Sequence, residues 1–458
     1  MLNSEIMRVF FSTIIMIVLA YNGTSAQSFG GAELDNYTGV AGVIFNPATI
    51  VDSRFKTDIN ILQVNSLIGS DYFGIDFSNL DGFSFEDDSN RFPRSANNFY
   101  TGVDVLLPSF QFNLAPKHSI AFTTRLRIVN NLDNVNGELV ELLLESGSNG
   151  SIKDFTFNQD NFRNNLHAWG ELGVSYGAVL LQNETHMLKG GVTLKYLSGG
   201  GTVSFNSSQL NGSYDTTSET VNLNGNVEIA ETINDSSGND DFNFFNGNSG
   251  LGLDLGFVYE YRPQLNDNKM DEDVLKGHNK YKFKLGLSIT DVGSITYRDV
   301  QLDRYALNGS VSVSELENDL EQAIEDNFVS TSAVEDISKK LPALIRYSVD
   351  YRINRNLYVG STGAFSLMDS VDPFNNRQLN YFTISPRYES KLFTIYSNLS
   401  SVEHLGLNWG AGFRLGPVTI GSNTIFTNLI SNNSLGLDVY AGLKIPIHQR
   451  ITSKNKTR

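Results

Sequence analysis

Along much of the chain, hydrophobic and polar residues alternate with a period of two. Between residues 120 and 128 one phase holds Ile120, Phe122, Leu126 and Ile128, and the other holds Ala121, Arg125 and Arg127. Residues 345 to 353 set Ile345, Tyr347, Val349, Tyr351 and Ile353 against Arg346, Asp350 and Arg352. Leu251, Leu253, Leu255, Phe257, Tyr259 and Tyr261 likewise oppose Gly252, Asp254, Gly256 and Glu260, and Tyr281, Phe283, Leu285, Leu287 and Ile289 oppose Lys282 and Lys284. This is the period of a β-strand whose two faces meet different surroundings. It predicts about fourteen strands, at roughly 57–69, 99–114, 119–130, 167–181, 186–198, 249–261, 281–290, 343–353, 357–366, 378–388, 391–398, 407–415, 417–426 and 434–446.

Two all-β architectures use such strands. A soluble sandwich buries the apolar faces against each other, whereas a transmembrane antiparallel barrel turns them to lipid and encloses the polar ones. Length favours the barrel, because many runs span about 9 to 14 residues, near the roughly 9 to 11 of a tilted membrane strand and above the usual 5 or 6. Phe99, Tyr100, Trp169, Tyr196, Tyr259, Tyr261, Tyr281, Tyr388 and Trp409, near strand ends, suit interfacial girdles or, in a sandwich, an ordinary core. Tight connections near Pro116, Asn183, Asn354, Ser390 and Pro417 fall on one side, and the long polar stretches 131–166, 199–248 and 291–342 fall on the other. Short periplasmic turns and long outer loops are the barrel pattern, broken here only by the charged connection 262–280. Both termini then face the periplasm. The long stretches, rich in Gly, Ser, Asn and Asp, need no core of their own. Leu316, Leu320, Ile324 and Phe328 recur at helical spacing on an acidic segment, and Leu139 to Leu144 does so more briefly; these read as loop helices over the barrel mouth or as docking helices for a partner.

The formal charge of the 458 residues is −16, from 34 Lys and Arg against 50 Asp and Glu, which repels phosphate backbones and argues against nucleic acid as a partner. With no cysteine there is no disulfide, thiolate metal site or acylated Cys. Arg8, the apolar run Val9 to Ala20 and the small residues Thr24-Ser25-Ala26 mark residues 1–26 as a cleaved signal peptide. No later apolar run reaches the roughly 20 residues of a membrane helix.

Past the cleavage site, Asn46-Pro47-Ala48 resembles the N-terminal segment of FadL-type barrels, whose plug-like hatch precedes the first strand. Leu107-Pro108-Ser109-Phe110, the run Gly191 to Leu197, Thr290-Asp291-Val292-Gly293, Pro386-Arg387-Tyr388-Glu389 and the run Asp438 to Pro446 together resemble an uncharacterised family of outer-membrane barrels found in Bacteroidota. The resemblance covers most of the mature chain and implies an outer-membrane location. On this reading residues 57–447 are the barrel and residues 27–56 a lumenal plug, with a flexible periplasmic leader as the alternative. The basic tail 448–458 stands where assembly signals carry a terminal aromatic, so insertion would use the strand ending near Pro446.

Catalytic chemistry finds little support. The histidines at 118, 167, 186, 278, 404 and 448 are scattered, with no His-Glu-x-x-His, Gly-x-Ser-x-Gly or phosphate-binding glycine loop, so no enzyme, cofactor or metal is expected. Asp267, Asp271, Glu272 and Asp273 crowd one loop without the Gly spacing of a Ca²⁺ site and read as a solvated acidic loop. The candidate site is therefore the lumen. Arg125, Arg127, Glu171, Lys195, Asp254, Glu260, Lys282, Lys284, Arg346, Asp350, Arg352 and Arg414 all fall on the polar phase. Both signs occur, so these side chains either pair across the interior and close it or line a wet path. The expected function is passive uptake of a small hydrophobic molecule, gated by the N-terminal segment, in a barrel embedded in outer-membrane lipid. A non-conducting scaffold for surface or secretion machinery comes second, and a soluble secreted β protein third.

Overall fold

The computed structural model describes residues 30–77, 89–145, 152–232, 247–263, 279–318, 320–368 and 373–449. The signal-peptide segment, the acidic loop with Asp267, Asp271, Glu272 and Asp273, His278 and the tail beyond Gln449 lie outside the described residues. Seventeen strands join in one antiparallel sheet. They are β1 (Phe55–Ser70), β2 (Asn97–Leu106), β3 (Ser109–Ala115), β4 (His118–Val135), β5 (Phe155–Gln182), β6 (His186–Asp215), β7 (Thr220–Thr232), β8 (Ser249–Tyr261), β9 (Phe283–Ser312), β10 (Val329–Lys340), β11 (Leu344–Arg352), β12 (Leu357–Ser366), β13 (Tyr381–Glu389), β14 (Phe393–Val402), β15 (Gly406–Leu415), β16 (Val418–Ser422) and β17 (Gly436–His448).

The sheet closes on itself. β1 pairs with β17 from Phe55↔His448 to Gly69↔Gly436, and on its other side with β2 and β3. β2 and β3 form one stave broken at Leu107-Pro108, where proline has no N–H to give the ladder. β7 and β10 pair only with far ends of β6 and β9, beyond the ring. The ring itself has fourteen staves, as the alternation predicts.

One phase of the ring is exposed and apolar, including Leu172, Val174 and Tyr176 on β5, Leu255 and Phe257 on β8, Leu285 and Leu287 on β9, and Phe382 and Ile384 on β13. The opposite phase is buried and polar, with Glu171 and Ser175, Asp254 and Glu260, Ser288, and Ser385 and Arg387 on the same strands. A soluble sandwich would show the reverse, so the outward belt is the surface that hydrocarbon solvates. The girdle expectation needs correcting at three positions. Tyr100, Trp169 and Tyr281 are buried inside, and the Tyr281 hydroxyl donates to Asp350 Oδ2 at 2.5 Å. A phenol or indole with a buried acceptor gains more there than at the lipid boundary. Tyr261, Tyr388 and Trp409 do face outward.

The long polar stretches also differ from expectation. β5 has 28 residues and β6 and β9 have 30 each. At about 3.3 Å per residue they run far past a hydrocarbon layer of about 30 Å. With β7 and β10 they build an outer sheet that has its own apolar core. Phe157, Leu210, Val221, Val227, Tyr305, Leu307 and Val311 pack there with Leu142 of α2 (Gly137–Glu145), Leu316 of α3 (Val313–Asn318), Ile324 of α4 (Leu320–Asn327) and Phe328. The helices cover this sheet rather than the barrel mouth. Composition concealed the core because its apolar residues sit singly among Asn, Ser and Thr. The strand expected over 417–426 stops at Ser422, since the Asp438 carboxylate accepts from Ser422 Oγ, Asn423 N and Thr424 Oγ1 and draws the chain off the ladder into a short helix, α5 (Ile425–Ile430).

Candidate functional site: the barrel lumen

Inward positions carry ionic side chains on many staves, and the ring's curvature brings them together. In the largest cluster Arg125 pairs with Asp104 and lies 3.5 Å from Glu171. Arg127 lies 2.9 Å from Asp291 and 3.2 Å from Glu171, and Lys195 lies 2.6 Å from Asp291 and 2.9 Å from Asp254. Arg127 also stands over the Trp169 ring, 4.7 Å from its centre. A second cluster joins Arg387 to Asp350 and Glu389, both at 2.8 Å. A third joins Glu260 to Lys189 at 2.5 Å and to Arg262. Buried charges persist only when paired and hydrogen-bonded in this way.

The other expected lumen residues fall as follows. Arg346 donates to the Tyr381 hydroxyl at 3.0 Å, Arg352 to the Asn279 carbonyl at 2.5 Å, and Lys284 to Asn36 Oδ1 at 3.0 Å. Arg414 Nε lies 2.7 Å from Asp35 Oδ2. Lys282 stands apart from this set: its ammonium lies 4.6 Å from the centre of the outward-facing Tyr351 ring and donates to the Ile353 carbonyl at the rim. Here β9 has not yet begun, and Tyr281 rather than Lys282 takes the inward place.

Several partners escaped the sequence reading. Asp104 and Arg387 lie on the inward phase of strands whose polar positions are mostly uncharged. Asp291 shares its odd-numbered phase with Leu285, Leu287 and Ile289 and so reads as lipid-facing. A register shift between Leu253 and Leu255 sets an extra β9 residue against β8, and Asp291 takes a positive φ of 62°. That bulge turns the carboxylate inward, where the Asp291 N–H donates to Asp254 Oδ1 at 2.7 Å.

Residues 31 to 54 lie against these inward side chains. α1 (Gly30–Leu34) is followed by 3₁₀ turns at Gly39–Ile44 and Pro47–Ile50. Asn46 caps the second turn by accepting from Ala48 N at 2.9 Å, and Pro47 sits at its first position, where an N–H would lack a partner. The Asn46 amide also donates to the Phe257 and Leu287 carbonyls on β8 and β9, at 3.0 and 3.3 Å. Ala48 is buried, and the wall is thin beside it. A Cβ at Gly191 would collide with the Pro47–Ala48 backbone, and one at Gly256 with the Asn46 amide oxygen. Towards the tight-turn rim, Lys444 donates to the Tyr37 carbonyl at 2.5 Å, and Asp52 sits 2.6 Å from Arg262 and 3.3 Å from Lys280. Burial alone would raise the Asp52 pKa, but Lys280 and Arg262 outweigh it and hold the carboxyl at about 2. One cavity between segment and wall, lined in part by Ala41, Phe45, Gln63 and Gly442, measures about 30 Å³, room for a single water.

At the outer end of the lumen the lining changes from ionic to apolar. Leu67, Tyr100, Val129, Trp169, Leu197, Ile295, Tyr297, Leu341, Leu379 and Leu405 meet there in one cluster.

A closed antiparallel ring, apolar outside and ionic inside, is the construction of a membrane-spanning β-barrel. The chain belongs to the family of unknown function DUF5723, which it matches over residues 47–423. No curated protein matches it. Among solved structures it is similar to a TodX deltaS2S3 mutant monoaromatic hydrocarbon channel, at 11% identity and a TM-score of 0.45 over 92% of this chain and 96% of that one. It is also similar to a Pseudomonas aeruginosa FadL homologue, at 11% identity and a TM-score of 0.43 over 93% and 99% of the two chains. The Ralstonia pickettii toluene transporter TbuX gives 11% identity and a TM-score of 0.41 over 93% and 96%.

Proposed function

We propose that the protein is a gated conduit of the outer membrane for passive uptake of a small molecule, with residues 30–54 acting as its plug. The observation that carries this reading is the course of that segment, which follows the inward face of the ring. It is held by Arg414 on Asp35 and Arg262 on Asp52 towards one rim, and by Asn46 on the β8 and β9 carbonyls at mid-strand. Contacts of this kind hold a segment without building it into the ladder, so they are exchangeable for water. A hydrophobic body for the cargo is supported by the apolar cluster at the outer end, which any entering molecule must cross. The test is solute uptake by proteoliposomes carrying the intact chain, the chain without residues 30–50, and the Asp35→Ala/Asp52→Ala double variant. Barrel closure is checked by the mobility of unboiled samples on gels. Loosening the segment should raise uptake about tenfold, as expected if the open state rises from a minor to a major population. No uptake by any folded variant would favour the second reading, a non-conducting scaffold, which is supported by the outer sheet having a core of its own.

A further inference from the structure

The outer mouth is crossed by part of the connection between β12 and β13. Its residues 373–380 leave their own staves and reach β4 and β5 on the far side of the ring. Asn376, fully buried, donates to the Val129 carbonyl at 3.1 Å, to Asn131 Oδ1 at 3.1 Å and to the Asn165 carbonyl at 2.6 Å. Asn165 returns a bond to the Pro373 carbonyl at 2.8 Å. Arg377 then ties the same stretch to Asp133 on β4, at 3.2 Å, and to Glu403 just after β14, at 2.8 Å. Leu379 joins the apolar cluster below.

We propose that residues 373–380 are a strap over the outer mouth, a second gate in series with the N-terminal segment. This rests on the conduit reading above. The strap is held by side-chain clasps and ion pairs, which water can replace, whereas the staves are fixed to their neighbours by backbone ladders, so the strap lifts without opening the wall. Gates in series multiply. Uptake follows the product of the two open fractions, whereas independent routes would add.

The chain has no cysteine, so one engineered pair can lock the strap reversibly. Asn131→Cys with Arg377→Cys removes the Arg377 ion pairs when reduced and, because the Asn131 side chain meets the Arg377 backbone N–H and carbonyl, ties the strap to β4 when oxidised. In proteoliposomes, the reduced pair and the Asp35→Ala/Asp52→Ala change should each raise uptake about tenfold, and together about a hundredfold, with oxidation abolishing the strap's share. Uptake that ignores oxidation, or effects that merely add, would overturn the second gate and leave the conduit standing. Should the disulfide fail to form, Gln378→Cys, a buried position on the strap itself, reports directly. An impermeant maleimide should label it faster once Arg377 is changed to Ala, and an unchanged rate overturns the strap as a moving part. Faster labelling with no uptake in any variant overturns the conduit, and the second gate with it.

Discussion

The ring and the outer sheet share strands, yet those strands invert their chemistry along their length. In the ring, β5 exposes Leu172 and Val174 and buries Glu171 and Ser175; further out it buries Phe157 and exposes Asn158 and Asp160. β9 repeats the change, with Leu285 and Leu287 exposed in the ring, and Tyr305 and Leu307 buried beyond it beside an exposed Arg304. The alternation continues outward, shifted in phase on β9 by bulges at Asp291 and between Tyr297 and Val300. What changes is the solvent: an exposed side chain of the ring meets acyl chains, and an exposed side chain of the outer sheet meets water. One polypeptide therefore carries two opposite rules for what belongs inside.

The largest effect should come from the ionic interior. Arg387→Ala takes from the buried Asp350 and Glu389 carboxylates the guanidinium they share and should cost about 3–5 kcal/mol in denaturant unfolding from vesicles, the penalty of an uncompensated buried charge. In the outer sheet the corresponding damage is a hole. Leu307→Ala should cost about 3 kcal/mol, and hydrogen exchange should show the loss confined to the outer sheet while the ring stays protected. The sharpest comparison replaces equally exposed residues. Phe257→Lys on the ring should cost about 2–4 kcal/mol, whereas Val334→Lys on β10 should stay within about 0.5 kcal/mol; equal costs would remove the distinction between the two surfaces. The smallest effect is a pH dependence at the strap. Burial would raise the Glu403 pKa, but hydrogen bonds with His404 and the Asn380 N–H, and the Arg377 charge, lower it from 4.5 to about 2. A depressed carboxyl contributes stability that is complete above its unfolded value and lost as pH falls through the folded one. The loss should therefore fall between about pH 4.5 and 2, amount to about 1 kcal/mol after allowance for partial exposure, and vanish in Glu403→Gln.

The ring was readable from the chain because alternation is strongest where lipid and lumen differ most. Thirteen-residue β8, with glycines and charges on one phase and large apolar residues on the other, needed no tertiary information. The outer sheet was hidden because Phe157, Val221 and Leu307 are isolated among residues that also suit loops, and only their cross-strand neighbours make them a core. The lumen was half visible. Arg125, Glu171 and Lys195 follow from phase, but Asp291 depends on a bulge, and Trp169 and Tyr281 depend on buried partners that periodicity does not encode.

The pairing of β1 with β17 joins residues 55–70 to residues 436–448, the first and last strands of the ring. Until the final strand is made, the growing sheet has two open borders, each offering unpaired N–H and C=O groups beside a greasy surface. Truncation anywhere before Gly436 therefore leaves a ribbon that no solvent suits on both sides, and such fragments should clump rather than insert. Completion of the chain, more than any single contact, is what renders it soluble in a bilayer.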